Sequence, residues 1–159
     1  MPSSTDARET RAAAAEVKFL VDPGAGAIIR NWARARLGPD PHGGGRFADQ
    51  YRTATVYFDT AGYDVFYRRG SFGRVKYRAR QYGCGGAAFL ERKLTRPGLV
   101  AKRRTLVPRE TLGRLLYAEG DAQWPGDWFR RRLQARRLHP VCQLSYLRTA
   151  RVATTDRGR

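Results

Sequence analysis

The sequence predicts an α+β fold built on an antiparallel β-barrel flanked by three or so helices, and three observations lead there. Strand-like segments rich in β-branched and aromatic residues follow one another from Tyr51 to Val107, joined by short glycine-bearing connections. Basic residues occupy alternate positions along the segment from Arg74 to Arg80, which places them on one face of a strand. Apolar residues at helical spacing lie outside that run, at Ile28, Ile29, Trp32 and Leu37.

The first of these elements is a strand expected over Glu16 to Asp22 (EVKFLVD), after a polar, disordered leader at residues 1–13. A helix follows from Ala25 to about Leu37, stopped by Gly38 and Pro39. Its spacing with Ile28 and Ile29 marks Trp32 as a core residue. The loop PDPHGGGR at residues 39–46 leads to a strand from Tyr51 to Thr60 and a short turn or helix through Tyr63 to Arg69. Ser71 to Gln81 and Ala87 to Thr95 flank the turn YGCGG and make a hairpin, and Leu99 to Val107 adds a further strand. Pro108 suits the first turn of a helix reaching about Ala118. A second helix is expected from Asp127 to Arg137, with Trp124 and Trp128 packing nearby, and Val141 to Arg148 returns to strand.

The chain has 159 residues, and its 31 Lys and Arg against 14 Asp and Glu give a net charge of +17. That is the length of one domain. With 42% hydrophobic and 11% aromatic residues it is too apolar for a disordered basic tail. No run approaches the roughly 18 apolar residues of a membrane span, so a globular protein with polyanionic partners is expected. Cys84 and Cys142 have neither zinc-site nor disulfide-framework spacing, and the N-terminus lacks the apolar stretch of a secretory signal. A reducing, cytoplasmic setting is expected. His42 and His139 read as structural or solvated, and no nucleophile–base constellation or phosphate-binding P-loop is present.

Most of the charge excess lies in the second part of the chain. Residues 1–70 carry 10 basic and 8 acidic side chains, whereas residues 71–159 carry 21 and 6. Strand alternation puts Arg74, Lys76, Arg78 and Arg80 on one face, and places Glu16 with Lys18, Glu91 with Lys93, Lys102 with Arg104, and Tyr146 with Arg148. Arg92 and Arg103 fall on the opposite face, so neither side reads as uniformly dry. A barrel with a charged, ligand-holding interior and a partly solvated exterior reconciles the two. Such an interior repels itself when empty and selects a dense polyanion, with arginine forks gripping phosphate oxygens and lysines acting as point charges.

Seven segments in order resemble the VTC domain, the catalytic domain of vacuolar transporter chaperone-type polyphosphate polymerases, within the triphosphate tunnel metalloenzymes. They are EVKF (16–19), PDPHG (39–43), YFDT (57–60), GRVKYRARQYG (73–83), FLERK (89–93), VAKRRT (100–105) and SYLRTA (145–150). The resemblance implies a domain over residues 14–159 shaped as an eight-stranded antiparallel tunnel of the CYTH or triphosphate-tunnel type. It also implies ATP or another triphosphate and polyphosphate as ligands, and transfer of the ATP γ-phosphoryl group to polyphosphate with Mn²⁺ or Mg²⁺. The implied phosphate-binding residues are Lys18, Arg74, Lys76, Arg78, Arg80, Lys93, Lys102, Arg104 and Arg148; Glu16 and Glu91 would orient these cations or help hold metal. After SYLRTA the family pattern continues through RLTLD and further strands bearing a metal-binding glutamate, whereas this chain reads RVATTDRGR. A domain lacking its C-terminal part is therefore expected.

Two other function classes fit the composition. A nucleic-acid-binding module would use the outward cations Arg92, Arg103 and Arg130 to Arg132 with aromatics such as Tyr77, Tyr82 and Phe89. A tunnel-type triphosphatase or cyclase would carry an ExExK signature, but Ala14 stands where its first glutamate would fall.

Overall fold

The computed structural model describes residues 8–97, 99–117 and 119–153. Eight strands are present among them: β1 (Arg8–Ala14), β2 (Gly38–Pro39), β3 (Gln50–Asp59), β4 (Val75–Tyr82), β5 (Ala87–Arg96), β6 (Leu99–Pro108), β7 (His139–Thr149) and β8 (Arg151–Val152). Two α-helices, α1 (Pro23–Arg36) and α2 (Asp127–Ala135), and 3-10 helices at Gly70–Phe72 and Arg109–Leu116 complete the set. Six strands form one antiparallel sheet in the order β1-β6-β5-β4-β3-β7, and β2 pairs with β8 apart from it. Among the described residues its edges, β1 and β7, do not pair with each other. The expected incomplete barrel is thus an open antiparallel sheet.

The connections explain the strand order. Consecutive strands β3, β4, β5 and β6 are neighbours in the sheet, and Gly83 takes the left-handed conformation (φ 59°) that the YGCGG turn requires. One face of the sheet carries the core. Phe58, Tyr77, Ala79, Ala88, Leu90 and Val107 pack against Trp124, Trp128, Phe129 and Leu133 from α2 and the segment before it. Trp128 donates its indole N–H to the buried Thr105 hydroxyl at 2.8 Å, so this bulky core residue leaves no polar atom stranded. A side chain at Gly126 would lie 2.5 Å from the Trp124 ring, which leaves only glycine room at that corner.

Two expectations about the N-terminal part are corrected. Residues 8–13, expected within a disordered leader, form most of β1, while residues 1–7 lie outside the described residues. Residues 16–22 form no strand, and Val17, Phe19 and Leu20 are exposed. The outer edge of β6 is taken by RETRAAA through main-chain pairing, from Arg8 opposite Thr105 to Ala14 opposite Val100. Edge pairing of this kind needs no apolar alternation, so periodicity does not reveal it.

Helix α1 matches its expected span, and Asp22 caps it by accepting from the Ala25 N–H at 2.9 Å. Its apolar stripe does not enter the core. Trp32 is half exposed, with the Arg36 guanidinium 5.5 Å from its ring, and Ile28 and Ile29 are exposed too. A charged clamp tethers the helix instead: Arg34 donates to the buried Asp49 carboxylate at 2.8 Å, and Arg151 of β8 approaches the same carboxylate at 3.3 Å. The helix expected after Pro108 is present as the tighter 3-10 form.

Candidate functional site

The face of the sheet opposite the core carries the charge, and the ladder arranges it in rows. Arg78 of β4 lies opposite Glu91 of β5, which lies opposite Arg104 of β6. Tyr57 of β3 extends this row on the other side. The Arg78 Nε donates to a Glu91 oxygen at 2.6 Å, and the other oxygen stands 3.6 Å from the Arg104 Nε. Burial works against the Arg78 charge, but the attraction and hydrogen bond of Glu91 outweigh it and raise the guanidinium pKa. Glu91 is thereby the buried counter-ion that lets two arginines share one patch.

The next row has no such buried partner. Lys76, Lys93 and Lys102 stand opposite one another on β4, β5 and β6. Burial, aided by repulsion from Arg78 and Lys93 and opposed by Glu91, pulls the Lys102 pKa below the ordinary lysine value. Lys93 donates to Glu16 at 2.5 Å, and Lys18 approaches that carboxylate at 3.4 Å. The Lys93 hydrogen bond holds Glu16 below the usual carboxylate range. Although residues 16–18 form no strand, the chain still delivers Glu16 and Lys18 to the cationic face.

A cleft of about 1210 Å³ opens beside this lysine row. Four of the expected phosphate-binding residues line it, Lys18, Arg74, Lys76 and Lys93, together with Glu16, Tyr57, Arg68 and Arg96. Arg68 and Arg96 were not visible as site residues in the sequence, because one sits in a loop and the other at the end of a strand, outside the alternating stripe. Arg78 and Lys102, each partly buried, do not line the cleft.

The remaining three expected residues gather at the other end of the face. Arg80 is buried and donates to Thr55 at 2.9 Å; Arg104 lies 3.5 Å from the Phe89 ring centre, and Arg148 lies 5.8 Å from that of Tyr51. An aromatic cluster fills this end: His42 stacks on Tyr82 at 4.7 Å, and Tyr51 meets Tyr82 edge-on at 5.5 Å. The structural role expected for His42 fits this packing. The nine cations therefore share one face but divide into a cleft group, a central pair and an aromatic-lined group.

Among the described residues no three His, Cys, Asp or Glu side chains group as a metal site. Glu91 has both oxygens turned to guanidinium groups, which does not suit it to a cation. Glu16, on the cleft wall, likewise has one oxygen toward Lys18 and the other toward Lys93.

On the core face, Arg103 stacks over the Trp128 ring at 4.1 Å. Asp127 pairs with Arg130 at 2.8 Å and Arg131 at 2.9 Å. The outward basic set is thus partly spent on structure.

No helix among the described residues is long and apolar enough to cross a membrane. The family profile described as the VTC domain matches residues 13–159. Among proteins of curated function, none matches the chain.

Proposed function

The chain belongs to the VTC domain family, which is a polyphosphate-related family, and from that premise we propose that its cationic face binds triphosphate and polyphosphate. The observation that carries this reading is the row Lys76, Lys93 and Lys102, whose one ion pair among the described residues is Lys93 with the partly exposed Glu16, beside a cleft also lined by Lys18, Arg74, Arg68 and Arg96. An anion with several closely spaced charges relieves the repulsion of all three lysines at once, which a single carboxylate cannot do. Arg74 supplies planar, bidentate donors for phosphate oxygens. Arg148 is exposed at the far end of the face, with Arg104 and the buried Arg80 adding positive potential behind it, so a chain longer than a triphosphate finds a further partner there.

The reaction that suits this arrangement is transfer of the ATP γ-phosphoryl group to the end of a polyphosphate chain. A terminal phosphate oxygen of the acceptor attacks the γ-phosphorus, the bond to the β,γ-bridging oxygen breaks, and ADP leaves with that oxygen. Such a transfer asks the protein for alignment and charge neutralisation rather than for a nucleophile. The cation rows can supply both. Mn²⁺ or Mg²⁺ would be held chiefly by the ligand's own phosphate oxygens, with Glu16 able to contribute only once the phosphates have drawn Lys93 and Lys18 away from it. A reducing, cytoplasmic location agrees with two unpaired cysteines.

Nucleic-acid binding ranks below this reading because Asp127 engages two of the five outward arginines and Trp128 holds a third. The test is to incubate the protein with γ-labelled ATP, a short polyphosphate primer and Mn²⁺. Label entering acid-insoluble polyphosphate supports transfer. Binding of tripolyphosphate without incorporation reduces the proposal to binding, and absence of both overturns it.

A further inference from the structure

The connection from β3 to β4 carries three exposed aromatic rings on the wall of the cationic cleft. Tyr63, Phe66 and Tyr67 are 50%, 73% and 58% exposed, and all three line the cavity that Arg74, Lys76 and Lys93 also line. Exposed aromatic surface is unfavourable in water, and an unconstrained loop would turn these rings inward. This loop is prevented from doing so. The buried Asp59 carboxylate accepts from the main-chain N–H groups of Thr60, Val65 and Phe66 at 2.7, 2.8 and 2.9 Å. Val65 enters the core between the rings. Tyr63 and Arg68 are both held at φ 57°, a left-handed conformation that non-glycine residues adopt at an energetic cost. Phe66 and Tyr67 meet edge to face at 5.1 Å, and Arg69 covers Tyr67 at 4.7 Å. The loop is therefore a fixed platform of π-faces.

We propose that this platform stacks the base of a nucleoside triphosphate whose phosphates lie on the lysine row, so that the cleft recognises a nucleotide and not merely a chain of phosphates. The inference rests on the phosphate-binding reading above and adds the base to it. Charge complementarity selects this occupant: the platform adjoins Arg74, Lys76 and Lys93, so the molecule that satisfies both has a flat aromatic end and a polyanionic end. Stacking on aromatic side chains is tolerant of base identity, which fits a site with π-faces and few convergent hydrogen-bonding groups.

The experiment measures binding of ATP and of tripolyphosphate, without added metal, to the wild type and to a Phe66→Ala/Tyr67→Ala variant. Tripolyphosphate serves as the internal control for folding and for the cation row. The expected result is a roughly tenfold or greater loss of ATP affinity with tripolyphosphate affinity unchanged, and recovery of ATP affinity in a Phe66→Trp/Tyr67→Phe variant. Equal losses for both ligands, or an unchanged ATP affinity, overturn the platform while leaving phosphate binding in place. If the wild type binds neither ligand, the phosphate-binding reading itself has failed. Ring-dependent sedimentation with anionic phospholipid vesicles, with ATP binding indifferent to the rings, would also overturn it and assign the loop to a membrane surface.

Discussion

Lys93 lies directly opposite Lys102 across the β5–β6 ladder, with Lys76 opposite Lys93 on its other side. Two residues further along the same strands, Arg78, Glu91 and Arg104 occupy the equivalent positions. One row is thus neutralised from within by a buried carboxylate, whereas its neighbour has only the more exposed Glu16, on Lys93. Like charges facing one another across antiparallel strands are destabilising. The fold tolerates this beside the cleft, and on the proposed reading the lysine row is the place where an external anion contributes most.

Lys76→Ala and Arg78→Ala are therefore expected to behave differently, although both residues belong to one stripe. Lys76 is exposed and has no carboxylate within ion-pair distance among the described residues, so its removal should leave the empty protein as stable or more so while weakening tripolyphosphate binding roughly tenfold. Arg78 holds the buried Glu91, so Arg78→Ala should cost about 3–5 kcal/mol of stability. Parallel thermal melts and titrations of the two variants check the contrast.

Glu16 occupies Lys93 and Lys18 before any ligand arrives. Glu16→Gln frees both cations, and in metal-free buffer it should raise tripolyphosphate affinity. A calorimetric titration that shows weaker binding instead would place Glu16 among the groups that support the ligand rather than compete with it.

The depressed Lys102 pKa gives a pH signature. A lysine whose pKa is lower folded than unfolded opposes folding while it is charged, and the opposition fades as pH rises through its folded value toward the ordinary value of 10.5. Lys102→Met should accordingly raise the melting temperature at pH 7, and its advantage over the wild type should shrink as the pH is raised toward that value. Melting curves collected across the alkaline range provide the check.

Asp49 ties α1 to β8 through Arg34 and Arg151, and the Arg34 hydrogen bond holds its carboxyl below the usual range. A depressed carboxyl stabilises the fold above its unfolded pKa and loses that contribution as pH falls through the folded value. Asp49→Asn should therefore lower the melting temperature at neutral pH, with the difference closing under acid conditions. Hydrogen exchange in α1 should quicken first, because the helix has no buried side chain of its own.

The β3 to β6 meander and the positions of its cations were legible because each depends on period-two alternation and a glycine turn, both local properties. Trp124 and Trp128, expected to pack, do enter the core, with Trp128 seated on Thr105. Trp32 was not. Its helical spacing with Ile28 and Ile29 marks an apolar stripe but cannot say whether anything covers it. Strand β1 escaped notice because pairing to the edge of β6 is a main-chain interaction. Of the site, the stripe was readable and its division was not: the aromatic cluster of His42, Tyr51 and Tyr82 draws on three separate segments, and only the folded sheet brings them to Arg80, Arg104 and Arg148.

The central claim is that the row of Lys76, Lys93 and Lys102 selects a chain of phosphates, and thermal denaturation with tripolyphosphate tests it most directly. At about 100 times its Kd the ligand adds roughly 2.7 kcal/mol, which for a domain of this size is a rise of about 5–10 °C in Tm. That rise should be reduced in Lys76→Ala and exceed the effect of inorganic sulfate at equal ionic strength. A melting temperature unmoved by millimolar tripolyphosphate, or moved equally by sulfate, would contradict the account.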